Sequence, residues 1–324
     1  MKRLSHALIL GICLLIARAA HAGPGDVDPA LQAYKKIPGV SGNLNSIGSD
    51  TLNNLMTLWT EGFKKQYPSI RIQVEGKGSS TAPPALIASM AQLGPMSREM
   101  KPTEIDAFEA KFGYPPTQIR VAIDALAVYV NKDNPLEKLT LPEVDAVFSK
   151  TRACGGSTDI SNWGQMGVSG SWAAKPISMY GRNSASGTYG YFKTVALCDG
   201  DYKDTVKEQP GSASVVQGIT EDLLGMGYSG IGYKTSGVKT LQLAVKEGEP
   251  YYGTEAETVL AGDYPLSRFL YLYVNKKPGA PLDPLVQQFV AFVLSRGGQE
   301  IVVKDGYLPL PASVVSEELA KIST

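Results

Sequence analysis

Histidine is almost missing from this chain. The two it has, His6 and His21, both precede residue 23, in a stretch read below as a cleaved leader. Without histidine there is no Ser-His-Asp or Cys-His activation of a nucleophile, and the commonest zinc ligand is lost. Cysteine is scarce, with Cys13, Cys154 and Cys198 only. No G-x-x-x-x-G-K-[ST] phosphate loop occurs, since Gly76-Lys77-Gly78 does not fit it, and no G-x-S-x-G elbow occurs. Asp199, Asp201 and Asp204 lack EF-hand spacing and its closing Glu, and read as solvated acids. No catalytic residue, metal site or cofactor is expected. Neither sign of charge is in excess: 31 Lys and Arg balance 31 Asp and Glu. With no basic stripe interleaved with aromatics, nucleic acid is not an expected partner. There is no repeat of 20–50 residues, no low-complexity tract and no second long apolar run.

What is present begins with an export signal. Lys2 and Arg3 precede the apolar run 7–16 (ALILGICLLI), and Ala20-His21-Ala22 fits a small-x-small cleavage site. The run is too short to span a bilayer, so direct membrane insertion is not expected. Ile12 before Cys13 is too bulky for a lipid-attachment box. Cleavage after Ala22 removes Lys2, Arg3, Arg18 and no acid, and the remaining 300 or so residues carry about three net negative charges. That length suits two lobes better than one core. Cys154 and Cys198 remain as an even pair in an exported chain, most simply one disulfide. The rival, a reactive or metal-binding cysteine, lacks a histidine partner.

Residues 23–41 carry three prolines and little periodicity, as an extended arm would. Beyond it, strands are expected over 43–47, 70–74, 119–130, 177–182, 229–233, 241–245 and 269–274. Helices are expected after Gly48-Ser49-Asp50 (Leu52, Leu55, Met56, Trp59, Phe63), from Pro83-Pro84 through Ala91, from Thr140, from Ser186 through Leu197, and over 284–294 and 299–304. Alternating strands and helices make an α/β fold with mainly parallel sheets. Three loops each follow a strand and open a helix: Gly48-Ser49-Asp50-Thr51, Gly78-Ser79-Ser80-Thr81 and Ser186-Gly187-Thr188. A helix N-terminus offers unpaired N–H groups and partial positive charge, and neighbouring hydroxyls add donors. Singly, such residues are ordinary N-caps. Three converging loops would hold a tetrahedral oxyanion. Arg182, at the end of an apolar strand four residues before Ser186, supplies a planar two-point donor.

Arg182-Asn183-Ser184-Ala185-Ser186-Gly187-Thr188 resembles the R-x-x-x-S-G-T signature of bacterial periplasmic phosphate-binding proteins, the receptors of Pst-type phosphate importers. Ile47-Gly48-Ser49-Asp50-Thr51, Gly78-Ser79-Ser80, Gly94-Pro95-Met96-Ser97-Arg98 and Ile231-Gly232-Tyr233 resemble that family's other segments, in order, from about Gly42 to the C-terminus. The resemblance implies a type-2 periplasmic-binding-protein fold, with two α/β lobes joined by a two-crossover hinge and a ligand cleft between them. Lobe one would comprise 42–128 and 272–324, lobe two 129–271, with crossovers near 129–131 and 267–272. It implies a periplasmic receptor, without enzymatic activity, that captures inorganic phosphate and passes it to the membrane permease of an ABC importer. The implied ligands are Ser49, Asp50, Ser79 and Ser97 from one lobe and Arg182, Ser186, Gly187 and Thr188 from the other.

Some family members place an aspartate where this chain has Ser97, to accept the phosphate's own proton. Asp124 interrupts the apolar strand 119–130, and a buried carboxylate there needs a partner or a task. Two are open: accepting that proton, or pairing with Arg98. Other readings are a receptor for sulfate, molybdate or a phosphonate, and an extracellular structural or adhesive protein using the arm.

Overall fold

The computed structural model describes residue 23 and residues 25–323, so the expected leader, 1–22, lies outside the described residues. The chain runs β1 (Asn43–Ile47), α1 (Asn53–Gln66), β2 (Arg71–Glu75), α2 (Ala82–Ile87), β3 (Gly94–Met96), α3 (Pro102–Phe112), β4 (Thr117–Asn131), β5 (Lys138–Thr140), α4 (Leu141–Phe148), β6 (Ser178–Arg182), α5 (Gly187–Ala196), β7 (Lys207–Gln209), α6 (Ser212–Glu221), β8 (Gly225–Gly230), β9 (Val238–Thr240), β10 (Gln242–Ala244), α7 (Ala256–Ala261), β11 (Ser267–Val274), α8 (Pro284–Val293), α9 (Arg296–Lys304) and α10 (Ala312–Ile322).

Local chemistry accounts for the best-defined elements. α1 buries Leu55, Met56, Trp59 and Phe63 at helical spacing and ends on Lys64 and Lys65, which suit the negative end of its dipole. α4 starts with a reciprocal capping box between Thr140 and Glu143. The expected strand 229–233 is displaced: β8 ends at Gly230, and Ile231–Tyr233 is a 3₁₀ turn. β8 is glycine-rich and buried on both faces, so no alternation marks its limits. The helix from Pro83-Pro84 stops at Ile87, short of Ala91, with Ser89 at φ 56°. α3, α6, α7 and α10 are helices beyond those expected. α6 (SASVVQGITE) is built from poor helix formers, and what secures it is burial of Val215, Val216 and Ile219.

The two lobes share one long strand. Residues 117–125 of β4 pair antiparallel with β11, while 126–130 pair with β8. The cores divide along the same strand: Ile119, Val121 and Ala122 pack with α1, α8 and α9, and Ala125, Leu126, Val128 and Val130 pack with α4 and α5. The main sheet runs β3-β11-β4-β8-β6-β7, and the parallel pair β1-β2 joins the first lobe through a bridge from Ser46 to Leu93. This is the two-lobed type-2 arrangement, with β4 contributing side chains to both cores.

Cys154 and Cys198 form the expected disulfide, Cα–Cα 5.2 Å, tying the loop after α4 to the C-terminal end of α5. The arm packs on the first lobe. Leu31 and Val40 join its core, Tyr34 OH donates to Gln288, and Arg296 Nε donates to the Leu31 carbonyl. Asp28 accepts from the Ala312 amide at the start of α10, a bond that holds its carboxyl below the usual range. No helix among the described residues is long and apolar enough to cross a membrane.

Candidate functional site

The loops singled out by composition meet at one place. The loop after β1 carries Ser49 and Asp50, the turn after β2 carries Ser79, and the end of β3 carries Ser97. These belong to the first lobe, and α5 of the second lobe points its N-terminus at them. Ser49 Oγ donates to Ser97 Oγ at 3.0 Å, Ser79 Oγ lies 3.3 Å from Ser97 Oγ, and Thr188 Oγ1 lies 3.5 Å from it. Thr51 Oγ1 and Thr188 Oγ1 are 2.9 Å apart across the cleft. Ser49, Thr51, Ser79, Ser97, Ser186 and Thr188 are all buried. Gly187 fits because it has no side chain: a Cβ there would stand 2.2 Å from Ser79 Oγ and 2.7 Å from Ser97 Oγ. Gly78, at φ 121°, lets the facing loop approach; its neighbour Ser80 bonds the Ala185 carbonyl through both N (3.1 Å) and Oγ (2.6 Å).

Several of these hydroxyls have their lone pairs engaged. Ser186 Oγ caps α5 by accepting from the amides of Thr188 (3.1 Å) and Tyr189 (3.3 Å). Ser79 Oγ accepts from the Ser97 amide at 3.0 Å. A hydroxyl has one proton and two lone pairs. With both pairs used, Ser186 presents only its O–H, and Ser79 is biased the same way. The cluster is thus a set of donors, as a tetrahedral anion requires.

Arg182 closes one side. It is 1% exposed, at the end of β6. Nη1 donates to Ser212 Oγ at 2.6 Å and lies 3.2 Å from Asp50 Oδ2; Nη2 reaches the Pro210 carbonyl at 3.2 Å. Nε is buried without a partner among the described residues. Burial pulls the guanidinium below its usual value, and the Asp50 carboxylate opposes that shift. Asp50 Oδ2 also accepts from the Ser212 amide at 2.8 Å, whereas no hydrogen bond among the described residues reaches Oδ1. Tyr233 OH donates to the Asp50 carbonyl at 2.9 Å, and burial, with Asp50 nearby, raises that phenol and keeps it a donor.

Asp124 has a different partner from the Arg98 that the sequence offered. Arg98 bonds Glu104 in a two-point pair at 2.7 Å, so Asp124 is not its partner. Asp124 is fully buried: Oδ1 accepts from the Ile231 amide at 3.0 Å, and Oδ2 accepts from Arg268 Nε at 3.0 Å and Nη2 at 2.7 Å. Arg268 lies between Asp124 and the hydroxyl cluster. The sequence reading overlooked Arg268 and Ser212. Ser212 sits at the start of a helix with little local signal. Arg268 stands directly ahead of the apolar run of β11, and Asp124 interrupts that of β4; two such opposite charges were a usable sign of cross-strand pairing. Among the described residues, no group of three or more His, Cys, Asp or Glu is placed to hold a metal ion.

The PBP superfamily domain matches residues 35–296. The chain is 56% identical over 322 residues to the phosphate-binding protein PstS of Pseudomonas aeruginosa, covering 99% of each. A solved Clostridium perfringens chain, assigned as a phosphate ABC transporter substrate-binding protein and holding phosphate, superposes with TM-score 0.69 at 23% identity, over 83% of this chain and 99% of that one. An ABC-type phosphate transport receptor from Vibrio cholerae superposes with TM-score 0.63 at 21% identity, over 82% and 100%. At those identities the structural likeness shows the fold alone, and the sequence likeness shows more. On that ground, with the order of the anion loops, the chain belongs to the PstS family of phosphate-binding proteins.

Proposed function

We propose that this protein is a periplasmic receptor that closes on one inorganic phosphate ion and presents it to the membrane permease of a phosphate ABC importer. The observation that carries the reading is the convergence of buried hydroxyls from both lobes beside the buried Arg182. The anion takes over bonds that Ser49, Ser79, Ser97 and Thr188 make with one another, while Ser186 and the N-terminus of α5 donate from the second lobe. Arg182 supplies fixed charge, and its unpartnered Nε is a ready donor.

Near neutral pH phosphate keeps at least one proton, and a site of donors alone leaves that proton unmet. We assign its acceptor to Asp50, whose Oδ1 is open, and not to Asp124, whose two oxygens are engaged. Sulfate has no such proton and would set an oxygen against the carboxylate, which disfavours it. The hinge crossing lies where β4 changes partners, between Ala125 and Leu126, and returns just before β11.

Delivery is tested with the cognate importer in lipid vesicles. The phosphate-loaded receptor should stimulate ATP hydrolysis and Arg182→Ala should not at the same phosphate concentration. Equal stimulation by both would sever capture from delivery.

A further inference from the structure

The phosphate reading uses Arg182 as its cation. A second buried arginine touches the same cluster. Arg268 stands directly opposite Asp124 in the β11–β4 pairing, at the point where the chain crosses the hinge. It is 7% exposed, and its guanidinium lies over the Tyr191 ring at 5.2 Å. Each nitrogen is engaged. Nε and Nη2 hold Asp124, Nη1 donates to the Ser97 carbonyl at 2.8 Å, and Nη2 donates to Thr188 Oγ1 at 2.9 Å. Ser97 belongs to the first lobe and Thr188 to the second. One rigid fork, anchored on the hinge strands, therefore grips an anion loop of each.

We propose that Arg268, held by Asp124, is a positioning residue of the anion site: it fixes the Thr188 hydroxyl as a donor toward the ligand and locks the Ser97 loop to α5. An arginine has no acceptor, so its bond to Thr188 Oγ1 occupies a lone pair there and leaves the hydroxyl proton to point away, toward Thr51 or an anion. With Asp124 beside it the pair adds no net charge, so the effect is directional rather than Coulombic. Stability alone does not account for the pair, since buried ion pairs break about even against apolar replacements. A lysine cannot replace the fork, because one ammonium cannot reach a carboxylate, a carbonyl and a hydroxyl in three directions.

This inference rests on the phosphate reading, and the test separates the two. Phosphate is titrated into ligand-stripped wild type, Arg268→Lys, Thr188→Val and the double variant, with a thermal melt of each as a fold check. Wild type that does not bind phosphate refutes the phosphate reading itself. Given binding by wild type, Arg268→Lys should weaken it roughly 10- to 100-fold, as loss of a hydrogen bond to a charged group does. If Arg268 acts through Thr188, the double variant should bind within about threefold of the weaker single variant. A folded Arg268→Lys that binds within twofold of wild type overturns the inference, and so do losses that multiply in the double variant. Should Arg268→Lys fail to fold, the pair Asp124→Asn with Arg268→Gln leaves no buried charge and is judged by the same loss of affinity.

Discussion

Arg182 and Asp50 face each other across the cleft, with Nη1 and Oδ2 3.2 Å apart and only Oδ2 engaged by protein donors. The arginine comes from the strand leading to α5 and the aspartate from the loop opening α1, so this pair forms only when the lobes meet. It leaves one carboxylate oxygen open beside a cluster of donors. Asp50→Asn should therefore keep a moderate phosphate affinity, because the amide oxygen still accepts, and should let sulfate compete. Competition titrations read this directly. A variant that excludes sulfate as wild type does would take the proton-acceptor role from Asp50.

Gly187 separates folding from closure. Alanine suits the first turn of a helix, so Gly187→Ala should leave the second lobe's stability within about 0.5 kcal/mol of wild type. Its methyl would stand 2.2 Å from Ser79 Oγ only when the cleft is shut. The variant should bind phosphate at least tenfold more weakly and fail to compact on phosphate addition in small-angle scattering. Normal compaction would contradict the close packing of Gly187 on Ser79 in the closed cleft.

The Cys154–Cys198 bond spans 44 residues of the second lobe. Replacing both cysteines with serine should cost about 2–5 kcal/mol of stability, the usual loss for such a bond. The bond lies at the far end of α5 from the anion loops, so affinity should fall less than threefold where the variant is folded. Calorimetric melts and phosphate titration of the same sample check both parts.

Asp305 gives the stability a pH dependence. Burial raises its carboxyl to about 6 from an ordinary 3.8, while the Asn54 amide bond opposes the rise. The folded state thus holds this proton more tightly than the unfolded chain. The resulting penalty is absent below pH 3.8 and complete above about pH 6. Asp305→Asn should stabilise the protein at pH 7 by about 1 kcal/mol, the full shift being discounted for partial exposure, and change little at pH 3.5. Equal melting temperatures at pH 7 would contradict this.

Much of the site was legible because its chemistry is local. A Ser or Thr that caps a helix, a glycine that lets two loops touch and an arginine ending an apolar strand all sit within a few residues of one another. The pairing of Asp124 was not legible, because its partner, Arg268, is 144 residues away and is brought opposite only by sheet register. α6 escaped notice because its residues are poor helix formers and packing against β8 secures it. The arm's role was hidden for the same reason. Leu31, Tyr34 and Asp28 find their partners in α8, α9 and α10, at the other end of the chain.

The most direct test of the account is isothermal titration of ligand-stripped protein with phosphate and sulfate in parallel at neutral pH. The closed cluster of donors with one open carboxylate oxygen predicts one phosphate bound per chain and no measurable heat from sulfate. Equal binding of the two anions, or no binding of phosphate, would contradict it.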